Sequence, residues 1–324
     1  MEGLNCVLIK LLEPLRVPNE LIEELAQPIK ERGHEFVYYE EKTTDAKELA
    51  ERSKDADVVM IANNPYPAEA IEQADQLKFI NVAFTGVDHV DGEAAKEKGV
   101  KIANAAGYSD QSVAELVIGL TLDVYRSISQ GNADIRKEDF PGMIQGREIK
   151  GKTVGIIGTG NIGMQTARLF KAFGANLIGY NNSEKEEAKE LGLEYVSLDE
   201  LLKTSDIVTV HLPLNEETEG FLSKEKLSLM KESAVLINCA RGPIIDNDGL
   251  AELLNEGKIA GAGLDVFDME PPIPSDYPIL QAKNAVLTPH VAYLTDEAMV
   301  ERAKIAFDNT LAFLEGNPQN IVQE

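Results

Sequence analysis

Arg241, Glu270 and His290 are the residues whose types and settings could do chemistry together. Arg241 follows Leu236-Ile237-Asn238-Cys239-Ala240 and precedes Gly242-Pro243. Glu270 follows Gly263-Leu264-Asp265-Val266-Phe267-Asp268-Met269 and precedes Pro271-Pro272, and His290 follows Leu287-Thr288-Pro289. Each stands just past an apolar, strand-like run. Open α/β sheets bind ligands at the carboxyl ends of their strands, so such residues can converge on one edge. A guanidinium grips a carboxylate in a fork geometry. An imidazole titrates near neutrality, and a carboxylate beside it favours the imidazolium and fixes its tautomer. Together they suit hydride transfer at a carbonyl, where a cation polarises the substrate and an acid protonates the alkoxide that forms. The plain alternative is a surface ion pair between Arg241 and Glu270. The other three of the four histidines read differently. His34 reads as a solvated loop residue, and His89, in Thr85-Gly86-Val87-Asp88-His89, as a turn residue that is structural or close to a site. His211 closes a strand before Leu212-Pro213, at a ligand-binding edge.

The element that would supply a hydride carrier lies upstream. Thr153-Val154-Gly155-Ile156-Ile157 runs into Gly158-x-Gly160-x-x-Gly163, then into Met164-Gln165-Thr166-Ala167-Arg168-Leu169-Phe170 with helical spacing of apolar residues. Strand, glycine turn and helix in that order form a dinucleotide-binding pattern. Gly158 makes the tight turn, Gly160 lets the backbone approach a pyrophosphate, and Gly163 lets the helix pack on the strand. The helix N-terminus offers N–H groups to the phosphates.

The rest of the chain must position these groups. Strand patterns at 6–12, 35–39, 58–62, 79–84 and 101–105 alternate with helical patterns such as 19–32 and 45–54. A second series of strands falls at 153–157, 176–180, 207–211, 234–238, 261–266 and 285–288. Such alternation predicts two doubly wound α/β units with parallel sheets. A long helix is expected over 110–136, with Ser109 as N-cap, and an amphipathic helix over 295–314 that folds back onto the first unit. A cleft between two such units is a natural ligand site.

At 324 residues, 44% of them hydrophobic, the chain can bury two cores. Its formal charge of −24 argues against nucleic acid or an anionic membrane as partner. No apolar run is long enough to span a bilayer and no secretory leader is apparent. Cys6 and Cys239, both in strand-like stretches, fit a reducing, cytoplasmic setting.

In these motifs the chain resembles the D-isomer-specific 2-hydroxyacid dehydrogenase family. The similarity covers nearly the whole chain. It includes the glycine pattern at 158–163, Ser205-Asp206-Ile207-Val208-Thr209-Val210-His211-Leu212-Pro213 and Asn238-Cys239-Ala240-Arg241-Gly242. It continues through residues 263–271 and Leu287-Thr288-Pro289-His290-Val291-Ala292, all in the family's order. The resemblance implies a Rossmann NAD(P)-binding domain at 107–294, inserted into a discontinuous flavodoxin-like substrate domain formed by 1–106 and 295–324. It implies that Arg241 binds the 2-oxo acid, that His290 is the acid/base and that Glu270 is its partner. The N–H groups of Thr85, Gly86 and Val87 would help hold the substrate carboxylate, with Asn64 lining the same pocket. The cofactor would meet Gly158, Gly160, Asn161, Ile162 and Gly163, then Asn181, Asn182 and Ser183. His211 and Pro213 would border the adenosine. Cys239, Ala240 and Asp265 would face the nicotinamide amide, and Val113 would pack near its ring. No metal is implied. A homodimer through the long helix is.

Two departures carry information. The acidic residue expected to hold the ribose 2′-hydroxyl is Asn181, within Tyr180-Asn181-Asn182-Ser183-Glu184-Lys185. Losing that carboxylate removes a repulsion toward a 2′-phosphate, which favours NADP(H), with NAD(H) the alternative. Second, Ala62-Asn63-Asn64-Pro65-Tyr66-Pro67 offers no Arg or Lys to grip a phosphorylated substrate, and no regulatory domain is expected after the last helix. A small unphosphorylated acid is therefore expected, with hydroxypyruvate or glyoxylate reduction (glycerate dehydrogenase activity) first. Phosphoglycerate dehydrogenase and a non-enzymatic, nucleotide-sensing corepressor are the alternatives.

Overall fold

The computed structural model describes residues 6–137 and 140–323. The elements run β1 (Leu8–Leu11), α1 (Asn19–Glu31), β2 (Glu35–Tyr38), α2 (Ala46–Ser53), β3 (Val58–Ile61), α3 (Ala68–Gln73), β4 (Phe79–Val82), α4 (Gly92–Glu97) and β5 (Lys101–Asn104). Then come α5 (Asp110–Arg126), α6 (Ile128–Ile135), β6 (Thr153–Ile157), α7 (Asn161–Ala172), β7 (Asn176–Tyr180), α8 (Glu186–Glu190), β8 (Leu193–Tyr195), α9 (Leu198–Thr204) and β9 (Ile207–Val210). The chain continues through α10 (Lys224–Leu227), β10 (Val235–Asn238), α11 (Asn247–Asn255), β11 (Gly261–Leu264), β12 (Ala285–Leu287), α12 (Asp296–Leu314) and β13 (Ile321–Gln323). Two compact units result: Met1–Ser109 with Leu294–Glu324, and Asp110–Tyr293.

The first unit holds a six-stranded sheet of order β13-β5-β4-β3-β1-β2. All its pairings are parallel except β13 on β5. β3 and β4 are buried along their whole length, as the runs Val-Val-Met-Ile and Phe-Ile-Asn-Val require of strands covered on both faces. Ile9, Leu11, Val58, Met60 and Phe79 pack with Ile22, Ala26 and Ile29 of α1 and with Ala303, Ala306 and Phe307 of α12. α12 starts at a Thr295 cap, whose side chain accepts the Ala298 N–H, and docks on this unit. Polar stitches fix its register: Asn81 Nδ2, buried in mid-strand, donates to Ala306 O (2.5 Å) and Thr310 Oγ1 (2.9 Å). Removing one partner of a buried polar pair costs about 1–3 kcal/mol, so this seam is specific as well as apolar.

The second unit holds a seven-stranded parallel sheet of order β12-β11-β10-β9-β6-β7-β8. Helices cover both faces. Val113, Val117 and Leu120 of α5 pack with Met164 and Phe170 of α7 on one side, and Leu201, Leu202, Leu250 and Leu253 on the other. The chain order reverses direction between β6 and β9, the switch point at which doubly wound sheets take their ligands.

Four expectations need correction. The helix over 110–136 is two helices, because Ser127 takes a left-handed conformation (φ 51°) between α5 and α6. Cys6 and Cys239 flank β1 and β10 instead of lying within them. His34 is buried, not solvated, and its Nδ1 accepts the Val7 N–H (3.3 Å). The short edge strands β8 and β13 were not foreseen; three residues carry too little periodicity to register.

Candidate active site

Strand register sets out the site. Ile157 pairs with Tyr180 and Val210, Val210 with Asn238, Asn238 with Leu264, and Leu264 with Leu287. The next residues along are Gly158, Asn181, His211, Cys239, Asp265 and Thr288, which therefore form one row at the carboxyl edge of this sheet. Arg241, Glu270 and His290 leave that row from the neighbouring strands β10, β11 and β12.

His290 and Glu270 meet. The imidazole Nδ1 lies 2.8 Å and 2.9 Å from the two Glu270 carboxylate oxygens. The histidine side chain is 14% exposed and the glutamate 73%, so the pair sits at the surface of the unit with its imidazole sheltered. His290 has φ 55°, a strained backbone for a residue with a Cβ. Asp265 holds that strain in place. It is wholly buried, and its carboxylate accepts from Thr288 Oγ1 (2.6 Å), Val291 N (2.9 Å) and Ala292 N (2.8 Å). The Asp265 carbonyl also accepts the His290 N–H at 2.8 Å. Burial raises the Asp265 pKa, opposed by the Thr288, Val291 and Ala292 bonds. The family resemblance would set Asp265 against the nicotinamide amide; its grip on the 288–292 loop was not anticipated. A carboxylate directly after an all-apolar strand was the one available signal.

Arg241 is half-buried and donates from Nη1 to Ala240 O (2.9 Å). Its loop is shaped by Asn238, whose Nδ2 donates to Arg241 O and whose Oδ1 accepts Ala240 N–H, both at 2.9 Å. Cys239 is buried, and desolvation raises its thiol pKa well above the ordinary range, so it is a packing residue and not a nucleophile.

The glycine loop has the shape a pyrophosphate needs. Gly158 adopts φ 92°, and a Cβ there would stand 2.7 Å from His211 O. A Cβ on Gly163 would stand 2.0 Å from Gly158 O, so α7 packs backbone against backbone. At Gly160 a Cβ would meet no atom within 4 Å, leaving open space beside the loop. Asn161 and Ile162 begin α7, whose N-terminus carries no side-chain cap. Its first N–H groups are thus available to an anion. Val113 is buried in the core beneath.

Asn181 braces the turn after β7. Its Oδ1 accepts Thr159 N–H (3.3 Å) and its Nδ2 donates to Ser183 O (2.7 Å); Asn182 and Ser183 are exposed. Beside it lies a hollow of about 400 Å³ whose lining includes Tyr180, Glu184, Glu194, Tyr195 and Glu200. Nearby Lys189 pairs with Glu184 (2.7 Å) and Glu186 (3.1 Å), and Arg168 pairs with Glu187. Farther along the edge His211 bonds Thr209 Oγ1 through Nε2 (2.9 Å), and burial pushes its pKa down to about 3. It is a neutral wall residue, with exposed Pro213 just beyond.

The first unit has its own carboxyl edge, where Ile61 pairs with Val82 and two loops follow. His89 joins them, its Nε2 2.8 Å from Ala62 O, while Phe84 packs edge-on against the imidazole at 6.2 Å. Buried Glu13 accepts the N–H groups of Ala62 (2.7 Å) and Asn64 (3.0 Å) through Oε1. Asn64 is buried too, and its Nδ2 is committed to Thr43 O (2.8 Å). Only its Oδ1 remains for a ligand. That atom and the buried Thr85 Oγ1 have no hydrogen-bond partner among the described residues. These two orphaned polar atoms follow adjacent strands, β3 and β4. Gly86 and Val87 are half-buried beside them.

Comparison with known proteins gives the family. Residues 118–292 match the family model described as "D-isomer specific 2-hydroxyacid dehydrogenase, NAD binding domain". The chain is 36% identical to a hydroxypyruvate reductase of Blautia hydrogenotrophica over 90% of its own length and 92% of that protein's. It is 42% identical to a D-3-phosphoglycerate dehydrogenase of Methanocaldococcus jannaschii over 86% of its length, but spans only 55% of that protein. A glyoxylate reductase structure from Paecilomyes thermophila superposes with a TM-score of 0.87 at 28% identity, covering 98% of both chains. The chain belongs to the D-isomer-specific 2-hydroxyacid dehydrogenases, nicotinamide-dependent oxidoreductases that act on CH–OH groups.

Proposed function

We propose that this protein reduces a small unphosphorylated 2-oxo acid to the D-2-hydroxy acid, with hydroxypyruvate and glyoxylate as its substrates. The observation that carries this reading is the Glu270–His290 pair, which leaves β11 and β12 beside Arg241 on the edge that begins at the glycine loop. A bound nicotinamide supplies or accepts the hydride at the substrate C2. Arg241 grips the 2-oxo acid and draws charge toward the carbonyl oxygen. His290 gives its Nε2 proton to the oxygen as it becomes an alkoxide, and takes it back in the reverse direction. Glu270, on Nδ1, stabilises the imidazolium and fixes which nitrogen faces the substrate. To the N–H groups of the Thr85-Gly86-Val87 turn we assign a carboxylate; the remaining Asn64 atom, Oδ1, is an acceptor and suits a hydroxyl donor instead. Gly158, Gly160, Gly163, Asn161 and Ile162 take the pyrophosphate. Asp265 keeps acceptor capacity for the nicotinamide amide, since a carboxylate has about four lone-pair sites and three are used.

Asn181 alone favours NADP(H), but its surroundings reverse that preference. Glu184, Glu194 and Glu200 line the hollow beside it, Arg168 and Lys189 are paired with carboxylates, and Lys185 of the same turn is outnumbered by the three glutamates. A 2′-phosphate there meets like charge, so we assign NADH as the preferred cofactor. We further assign a homodimer through the second unit. Ile128, Ile135, Phe140, Met143 and Ile144 are all at least half exposed in one segment of it, an apolar patch of the kind that marks an interface. Sedimentation analysis of the purified protein checks this; a monomer at micromolar concentration removes it. No helix among the described residues is long and apolar enough to cross a membrane; a cytoplasmic placement is our assignment from the cysteine usage.

The test is nicotinamide oxidation with hydroxypyruvate and glyoxylate, each with NADH and NADPH, beside 3-phosphohydroxypyruvate. Turnover of the unphosphorylated acids with a higher kcat/KM for NADH is expected. A requirement for the phosphorylated acid would instead make the protein a phosphoglycerate dehydrogenase, the reading its likeness to the Methanocaldococcus protein favours. No turnover of any 2-oxo acid would favour a nucleotide-sensing role. Asn181→Asp should raise the NADH/NADPH ratio further.

A further inference from the structure

Arg241 and Glu270 sit on different loops, and hydride transfer needs them held in one geometry. The two loops touch: a Cβ on Gly242 would stand 1.8 Å from Phe267 O. Touching backbones alone leave the loops free to slide. A side-chain network beside this contact removes that freedom. Asn247, 3% exposed at the start of α11, turns Nδ2 toward Gly242 O (3.0 Å), Ile245 O (3.1 Å) and Asp268 Oδ1 (2.8 Å). The other Asp268 oxygen accepts the Tyr277 hydroxyl at 2.5 Å. Tyr277 is 9% exposed and packs edge-on against Phe267, their centroids 6.4 Å apart. Asp268 thus reaches from an exposed loop to two buried donors, one belonging to the Arg241 side and one to the far end of its own loop. Glu270 is two residues away.

We propose that Asp268, bridged to Asn247 and Tyr277, is a positioning residue that locks the loop carrying Arg241 to the loop carrying Glu270. The inference rests on the assignment of Arg241, Glu270 and His290 as the reacting set. The bridge acts through Glu270: when it is intact, the Glu270 carboxylate stays on His290 Nδ1; when it is cut, the loop shifts and the imidazolium loses its partner. Among the described residues, groups shown against His290 include Glu270, Asp265 and Tyr293, and of these three Glu270 rides on the bridged loop.

Tyr277→Phe and Asp268→Asn test this, the first removing one hydroxyl while keeping the ring contact with Phe267. Two readouts are needed. In proton NMR of the full-length protein, the His290 imidazole resonances (assigned by their loss in His290→Gln) should move toward their positions in Glu270→Gln. With hydroxypyruvate and NADH, kcat should fall about tenfold while KM and the NADH dissociation constant stay within about twofold, the signature of lost transition-state positioning. Should Asp268→Asn fail to fold, Tyr277→Phe decides. Wild-type His290 resonances and kcat in folded Tyr277→Phe, with only a lowered Tm, would overturn the proposal and leave the network a structural brace. If the wild type turns over no 2-oxo acid, the functional reading fails; the His290 resonances then still decide whether the bridge holds Glu270 on His290.

Discussion

Two carboxyl edges of two parallel sheets are put to different uses. In the second unit, β10, β11 and β12 project charged side chains: Arg241, Glu270 and His290. A wholly buried carboxylate, Asp265, anchors the histidine's loop through three hydrogen bonds. In the first unit, β3 and β4 project little side-chain chemistry. Their loops offer backbone N–H groups and two orphaned oxygens, Asn64 Oδ1 and Thr85 Oγ1, and a buried carboxylate again does the anchoring, Glu13 on Ala62 and Asn64. Both sheets are built on parallel strands flanked by helices, and their loops differ in chemistry. Catalysis asks for groups that change protonation or polarise a bond, whereas holding a carboxylate asks only for donors of fixed direction. On the function proposed above, one edge would react and the other bind.

The largest effect should come from the reacting edge. His290→Ala should lower kcat by about 10²–10⁴-fold, the usual contribution of a positioned acid/base, and flatten the pH profile. Arg241→Ala should abolish measurable turnover. Both should leave the NADH dissociation constant within about twofold, measured by nucleotide fluorescence, because the glycine loop is untouched. If either variant kept wild-type kcat, the assignment of chemistry to this edge would be lost. At the binding edge, His89→Ala should release Ala62 O and loosen the 85–87 turn. KM for hydroxypyruvate should rise about tenfold with kcat changed less than twofold, the pattern of lost uniform binding. An equal fall in kcat would give the first unit a share in the chemistry and erase the distinction.

A third contrast lies within the glycine loop. Gly163→Ala forces a Cβ to 2.0 Å from the Gly158 carbonyl, whereas Gly160→Ala adds one in open space. The first should cost about 1–3 kcal/mol of stability, read as a lowered Tm. The second should keep its Tm and weaken NADH binding, since the methyl fills the space the pyrophosphate needs. A Gly160→Ala protein that binds NADH normally would misplace the phosphates.

How much of this was legible in the sequence depends on distance along the chain. The strand–glycine–helix unit could be read because its parts are adjacent, and β6 runs over the expected residues 153–157. Arg241, Glu270 and His290 stood out as candidates because each follows its own apolar strand, a local signature. What could not be read were contacts between loops far apart in sequence. Asp265 on residues 288–292, Glu13 on residues 62–64 and Asn247 on Asp268 join segments with no shared periodicity. His34 was misread for the same reason, since its partner Val7 lies 27 residues away. The break at Ser127 also left no mark, because serine carries no obligation to a left-handed turn as glycine does.

The smallest expected effect turns on the sign of two pKa shifts, one at each edge. His211 is depressed to about 3 by burial, from an ordinary 6.5. Below pH 6.5 the unfolded chain binds a proton that the folded site refuses, so its contribution to stability is present above 6.5 and is lost as pH falls toward 3. Glu13 is shifted the other way: burial raises its pKa above 4.5. Its contribution is present below 4.5 and is lost as pH rises through the folded value. Acidification from pH 7 to 5 should therefore loosen the edge at His211, by at most about 1.4 kcal/mol per pH unit below 6.5, without loosening the edge at Glu13. Hydrogen exchange of peptides covering 207–213 and 60–66 reads the two edges separately. His211→Asn should remove the acid sensitivity of the first peptide, and Glu13→Gln should leave it unchanged. Equal acid loosening of both peptides in the wild type would mean that the two edges do not answer to their own buried groups, and that the acid response belongs to the fold as a whole.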